Sequence, residues 1–407
     1  MELTRKFRAF AASGSLLALC ACGGQASQLA PTQPASASAE LRQSSPASGH
    51  SAVYKPLPQS GSGYADADLP PVGWQYPYDP NPFTMAICSS DPCSPTLDPN
   101  SGSMVTEIFN EAGGFGLGEV QEAQPGTNGR GQADTFPLYY ASQSDPGYSV
   151  TCDKYGGCAS FMPSKVHIPN GARASIDVDH HAGVIELWAG LEIDFYQFND
   201  GGTGVGTTTP VSGGGSLSAA FAGVCQPTSL ANQGRCPGGA VAAAVPLQPG
   251  VIDPREWIRG NIDHAVYVSL PCPSPGYIWP AAQSDGQCST GPLDGERIWL
   301  DLSDKQISRL PAKHWEKVLL HEMHHYGLMV VDSESNAPGS EPWNLYGIDN
   351  ETMTLWGKPA PWTSFFSMVT KEGDGNMLDY ADNASHLAIP TVGIKQKNIH
   401  IVPQTSR

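Results

Sequence analysis

His321, Glu322 and His325 stand in the run LLHEMHHYG, residues 319–327. Histidines at i and i+4 of a helix lie on one side of it, so a single zinc ion can sit between them. The glutamate can then polarise a water bound to that ion, as metal-assisted hydrolysis requires. A second set of reactive side chains, Asp179, His181, Asp194, His264 and Asp332, falls on short alternating runs elsewhere in the chain. Carboxylates of unequal acidity supply the acid and base of glycoside hydrolysis. A histidine beside a carboxylate can instead abstract a proton, as a polysaccharide lyase needs.

The histidine set needs a helix, and PAKHWEKVLLHEMHHY (311–326) predicts one. Pro311 suits a first turn and Gly327 a C-terminal stop. On a wheel of ~100° per residue, Trp315, Val318, Leu319, Met323 and Tyr326 form one apolar stripe, and Glu322 falls within it. His321 and His325 lie on the flank of the stripe, and His324 points away from it. After Gly327 the run GLMVVD alternates as a strand. A zinc ion would need a third ligand, and Glu351 in GIDNETMTLWG is the best substitute, ahead of Glu341 and Asp332. The extended pattern HExxHxxGxxH would place a glycine and a histidine where Leu328 and Val331 stand.

The second set needs strands that bring distant residues to one face. SIDVDHHAGVIELWAGLEIDFYQF (175–198) contains two or three short alternating runs, and AVYVSL (265–270), YIWPA (277–281) and RIWLDL (297–302) are similar. Asp177 and Asp179 share a face, as do Asp194 and Tyr196. His264 alternates with Val266 and Val268, and Asp332 follows Leu328 and Val330. Such strands would line a cleft with carboxylates, two histidines and the aromatic platforms Tyr196, Trp279 and Trp299, a surface suited to a sugar chain. A weaker helix is expected over 101–113. With 45 glycines and 36 prolines, the expected architecture is mainly β: a single sandwich or jelly-roll-like domain with long Gly/Pro loops and one clear helix.

The N-terminus frames this domain. Arg5, Lys6 and Arg8 precede the apolar run AFAASGSLLALCAC, which is too short to span a bilayer and reads as an export signal over 1–21. Leu19-Cys20-Ala21-Cys22 resembles a bacterial lipobox with Cys22 as the lipidated residue, the expected membrane contact. Residues 22–65, rich in Ala, Ser and Pro, form a linker that cannot bury enough apolar surface to fold. Residues 66–407 are the globular domain. Cysteines set close together (Cys88/Cys93, Cys152/Cys158, Cys225/Cys236 and Cys272/Cys288) suit disulfides in an oxidising compartment, although spacing does not settle their connectivity. A net charge of −17 makes nucleic acid a poor partner and leaves glycans and peptides open.

DPNSGSMV (98–105), DVDHHAGVIE (177–186), EIDFYQF (192–198), EWIRGNIDHAV (256–266), YIWPA (277–281), GERIWLDL (295–302) and YGLMVVDS (326–333), in this order, resemble a family of secreted bacterial β-rich proteins, some joined to carbohydrate-binding modules. The resemblance spans about residues 75–335 and implies that His321 and His325 are incidental. EIDFYQ also resembles the ExDxxE strand of laminarinase-type glycosidases, with Glu192 at the nucleophile position. Gln197 stands at the acid/base position, however, and cannot donate a catalytic proton. The HExxH element resembles zinc metallopeptidases, and Glu351 the Asn-Glu helix of thermolysin-like enzymes.

The leading expectation is therefore an exported, lipid-anchored enzyme acting on an extracellular polysaccharide, a hydrolase or a lyase. It would use Asp179, His181, Asp194, His264 and Asp332 and no cofactor. The alternative is a zinc peptidase using His321, His325 and Glu351 with Glu322 as base, and the third is a surface binding protein without catalysis. The lipobox generates a direct test: Cys22→Ala moves the protein from the membrane fraction to the soluble fraction of an expressing bacterium. Unchanged membrane partition of that variant counts against the anchor.

Overall fold

A computed structural model describes residues 82–111, 120–121, 136–155, 157–175, 179–186, 188–198, 208–225, 239–333, 343–349, 352, 355 and 394–404. The leader, Cys22, the linker, Asp177, Cys236, Glu341 and Glu351 lie outside the described residues.

Sheet predominates over helix, and the strands form three sheets, each mixing parallel and antiparallel pairs. The largest is six-stranded. In spatial order it contains β1 (Val120–Gln121), β12 (Asn344–Tyr346), β9 (Val266–Leu270), β11 (Leu328–Ser333), β10 (Arg297–Leu300) and β13 (Ile399–Val402). The four-stranded sheet runs β2 (Leu138–Ala141), β5 (Ala182–Glu186), β6 (Leu191–Tyr196), β8 (Phe221–Cys225). The three-stranded sheet runs β4 (Val166–His167), β3 (Gly147–Cys152), β7 (Gly215–Ala219). The parallel pairs β9–β11, β2–β5 and β3–β7 go beyond hairpins and require long connections; between β9 and β11 the chain passes through β10, α3 and α4, and between β3 and β7 through β4, β5 and β6. YIWPA forms no strand. Its ordered pairing is a single bridge from Tyr277 to Asp294.

Strand alternation distributes the core. On β9 and β11, Val266, Val268, Leu270, Leu328 and Val330 face four helices: α1 (Ser101–Glu111), α2 (Pro254–Arg259), α3 (Asp304–Arg309) and α4 (His314–His325). Tyr267, Met329 and Val331 point to the other face, where Leu138, Tyr140 and Ile185 of the four-stranded sheet and the 241–251 segment meet them. A third core joins the far side of that sheet to the three-stranded one, through Val184, Ile193 and Phe195 against Tyr148, Val166 and Leu217. Central strands buried on both faces explain why β9 and β11 read as continuous apolar runs.

The expected long helix is α4, although it begins at His314 after an N-cap at Lys313, so Pro311 precedes the helix and does not open its first turn; the weaker one is α1. Two shorter helices begin at capping boxes, Asp253 with Glu256 and Ser303 with Gln306. Gly327, at φ +77°, ends α4, where a Cβ would meet Ile87 Cδ1 at 2.8 Å. Buried Arg297 donates to the carbonyls of Met85 and Tyr326 at 2.6 and 2.8 Å and to that of Pro82. It thereby ties the segment before Cys88 to this turn.

Disulfides join Cys88–Cys93, Cys152–Cys158 and Cys272–Cys288, as chain proximity suggested. Closing such short loops stabilises by about 2–3 kcal/mol each, and the bonds point to an oxidising, exported setting. Among the described residues no helix is long and apolar enough to cross a membrane.

Gly250 marks a close approach in the middle core. A Cβ there would lie 2.1 Å from the Tyr267 ring, whose hydroxyl is held by Pro246 O at 2.7 Å. Gly250→Ala is expected to destabilise by about 3 kcal/mol through overpacking, read as a lowered urea midpoint. A midpoint equal to wild type would show that the ring yields freely.

Candidate functional site

The orientation of α4 decides what its motif can do. Trp315, Val318, Leu319, Glu322 and Met323 are buried, as the wheel anticipates, and so is His324, which was expected to point away. Glu322 is only 1% exposed. Its Oε1 accepts a hydrogen bond from the Val266 amide of β9 at 3.2 Å. Burial pushes its pKa up to about 8, against the opposing pull of His264 and Arg297. A group in that position activates no water in a solvent cleft. The role of general base assigned to Glu322 from the motif is therefore corrected: its carboxyl belongs to the core behind the helix.

His321 and His325 face outward, and they do meet an acid. Asp304 Oδ1 lies 2.7 Å from His321 Nδ1 and 3.0 Å from His325 Nε2. The two histidines hold the Asp304 carboxyl below the usual aspartate range, outweighing partial burial. The other ring nitrogen of His325 faces Cys88 O at 2.7 Å. Asp91, inside the Cys88–Cys93 loop, accepts from the Asp304 amide at 2.8 Å and lies 3.1 Å from His324 Nε2. Asp304 escaped the sequence reading because it is distant in the chain. Its available signal was the SDKQ capping box, which marks a helix start and puts residue 304 in the first turn.

The five glycan-directed residues divide. Asp194 is 0% exposed and accepts from the Leu247 amide at 3.3 Å. His264 is 2% exposed and sits 3.1 Å from Glu256 Oε2 and 3.0 Å from Ala265 O. Burial lowers the His264 pKa, but the charge and hydrogen bond of Glu256 prevail and raise it to about 9. Both side chains are buried, each against its own partners, so the expected convergence of all five in one cleft does not occur. The reason is that alternation assigned them a face without saying that another layer covers it. Trp299 and Trp279 are likewise buried, and the indole of Trp299 donates to His324 O at 2.8 Å, so neither is a sugar platform.

The other three gather around Tyr196 and the 240–242 segment. Tyr196 donates its hydroxyl to Asp179 Oδ1 at 3.0 Å. Burial, then the Asp179 charge, raises the phenol pKa and keeps it a donor. The His181 ring is 5.6 Å from the Tyr196 ring, and its Nε2 is 3.1 Å from Ala240 O. Asp332, half-buried, approaches the Ala242 amide at 3.5 Å, too long to count as a firm bond. Beside them the exposed ring of Tyr155, absent from the sequence reading, stands 6.0 Å from Tyr196 at 67°. Lys154 donates to Gln197 Oε1 at 2.8 Å.

Backbone strain concentrates here. Of the four non-glycine residues with positive φ among the described residues, Tyr155, His180 and Gln197 (φ 52°, 47° and 54°) flank this group. Each such residue costs about 1–3 kcal/mol and persists only where the surroundings impose it. No family model, no curated protein and no solved structure matches this chain.

Glu192 neighbours Asp194 on the same face of β6 and accepts from the Gln248 amide at 2.8 Å. Burial raises the Glu192 pKa to about 7; burial and the Glu192 charge raise that of Asp194 well above its ordinary value. A raised folded-state pKa means stability that is full below the unfolded value and lost as pH climbs through the folded one. Glu192→Gln removes that loss, because its amide keeps the Gln248 contact and can donate to Asp194. The variant is expected to exceed wild type by about 1–3 kcal/mol at about pH 8 and to match it near pH 4. Parallel urea-denaturation profiles across that range would refute the assignment.

Proposed function

We propose that this is an exported glycan-binding protein that recognises an extracellular polysaccharide at the Tyr155–Tyr196–Asp179–His181 face. The observation that carries the reading is the exposed Tyr155 ring, 54% accessible, held in a left-handed backbone conformation beside a carboxylate fixed by a phenol. An aromatic face stacks on the apolar face of a pyranose, and a carboxylate accepts hydrogen bonds from its hydroxyls. The Cys152–Cys158 disulfide braces the loop that presents Tyr155, which lowers the entropy cost of binding. A lipid anchor at Cys22 and the 22–65 linker would hold the domain at the cell envelope. The resemblance of the ordered motifs to those of secreted β-rich proteins would fit the same setting. The four- and three-stranded sheets, packed about one core, support reading that part of the domain as a small sandwich.

Binding is favoured over catalysis because His181 has one ring nitrogen against Ala240 O and the other buried, which leaves no accessible base on that ring. A second reading, polysaccharide cleavage, draws support from one observation. Asp332 and His181 flank the same short 240–242 segment, so Asp179 and Asp332 are the carboxylates it would use. New reducing ends would mark hydrolysis, and unsaturated products absorbing in the ultraviolet would mark elimination.

The experiment is retention of the purified chain on a panel of insoluble and immobilised polysaccharides. Wild type is expected to be retained by at least one of them. Tyr155→Gly is expected to bind about tenfold more weakly or worse while its melting temperature stays equal or rises, since glycine relieves the positive φ. Absence of retention on every polysaccharide, or full retention by Tyr155→Gly, would sink the proposal.

A further inference from the structure

Outside the glycan-directed face, the outward side of α4 carries a second constellation. Asp304 from the first turn of α3 and His321 and His325 from the last turns of α4 place three ligand-type atoms within 4.8 Å of one another. Each side chain is partly accessible, 35% for His321, 44% for Asp304 and 27% for His325, so an ion could enter and keep a water ligand.

The chemistry of the donors is selective. Two imidazoles and one carboxylate suit zinc and its neighbours among the divalent transition metals, whereas calcium and magnesium call for oxygen ligands throughout. The surrounding groups orient the donors as a metal site requires. With Nδ1 of His325 turned to Cys88 O, its N–H donates to that carbonyl and Nε2 is left to face the shared position. Asp304 is steadied through its own amide, which donates to Asp91 Oδ2. The His-to-Asp separations of 2.7 and 3.0 Å are about 0.4–0.7 Å shorter than the roughly 3.4 Å edge of a tetrahedron with ligands at about 2.1 Å. A small outward movement of partly exposed side chains therefore suffices to admit an ion.

We propose that Asp304, His321 and His325 form a zinc-class site that clamps the Cys88–Cys93 loop to the α3–α4 corner. The ion adds no hydrolytic step, because Glu322, which a motif-based peptidase would use, is turned into the core. Its effect is mechanical. The ligands belong to two helices, and His325 reaches the disulfide loop through both its ring and its backbone, since the amides of Ile87 and Cys88 donate to His325 O at 2.7 and 3.1 Å. Binding at the corner therefore opposes separation of all three segments and stabilises the fold by mass action.

The test uses tag-free full chain, stripped with chelator and dialysed, titrated with zinc chloride alone. Calorimetry is expected to show one saturable site, and zinc is expected to raise the melting temperature. Asp304→Asn and His321→Gln, both at partly exposed positions, are expected to bind at least about tenfold more weakly and to lose the zinc-dependent shift in melting. His400→Gln, a histidine beside Asp301 at 3.8 Å but outside the trio, is the control and is expected to behave as wild type. Circular dichroism of each variant confirms that it is folded. The site is overturned if wild type shows no saturable zinc binding. It is also overturned if both ligand variants bind as wild type does, or if His400→Gln loses binding to the same extent.

Discussion

The hydrogen bond from the Val266 amide to Glu322 fixes the rotation of α4, and much else follows from that rotation. A carboxyl enclosed among Trp315, Val318, Leu319 and Met323 would be costly without partners. The amide of β9 meets one oxygen, and His264 and Arg297 supply favourable charge. With Glu322 anchored inward, the ~100° step between successive residues turns His321 and His325 to the flank, while His324, on the far side of the helix, is covered by Trp299 and by Asp91 of the disulfide loop. A rotation that exposed Glu322 would drag the tryptophan and the leucines out of the core. The apolar stripe and the buried carboxyl thus enforce the same orientation.

The corner at Gly327 transmits that orientation to the sheet. α4 runs directly into β11, which pairs parallel with β9 and antiparallel with β10. Arg297 sits on β10 at this corner, and its guanidinium gathers carbonyls from the N-terminal segment and from the turn. Burial pushes its pKa down to about 10, a measure of how far from water the charge has been carried. The Cys88–Cys93 loop then closes over the helix end through Asp91. Helix, strand order and disulfide loop are therefore mutually dependent, and the residues 82–93 act as a strap across them.

The Tyr155–Tyr196–Asp179 face rests on a different part of the structure. Tyr196 ends β6, Tyr155 lies in a disulfide loop, and the 240–242 segment passes beside β11, where the Ala243 amide donates to Val331 O at 2.8 Å. Three elements distant in sequence meet there, and three left-handed residues are held in place by them. The opposite end of the same face of β6 holds Glu192 and Asp194, which were sealed rather than displayed. One strand thus carries a half-buried phenol at its end and fully buried carboxyls further in. The difference is the 247–248 backbone, whose amides each donate to one oxygen of the inner pair.

The mainly sheet character, the long helix and its end at Gly327, the strands at 182–186, 191–196, 266–270, 297–300 and 328–333, and the paired cysteines at 88/93, 152/158 and 272/288 were legible in the chain alone. Each rests on local signals: periodicity, a glycine free to adopt positive φ, or cysteines near enough to close a short loop. The inward turn of Glu322 was legible too, because a helical wheel needs only neighbouring residues. Which strands pair in parallel, that Asp194 and His264 lie beneath another layer, and that Asp304 comes to the two histidines were decided by the tertiary structure. Alternation gives a side chain's face but not what covers that face. A contact across 17 or 21 residues, such as those from Asp304 to His321 and His325, depends on how α3 and α4 pack together, which no local pattern specifies.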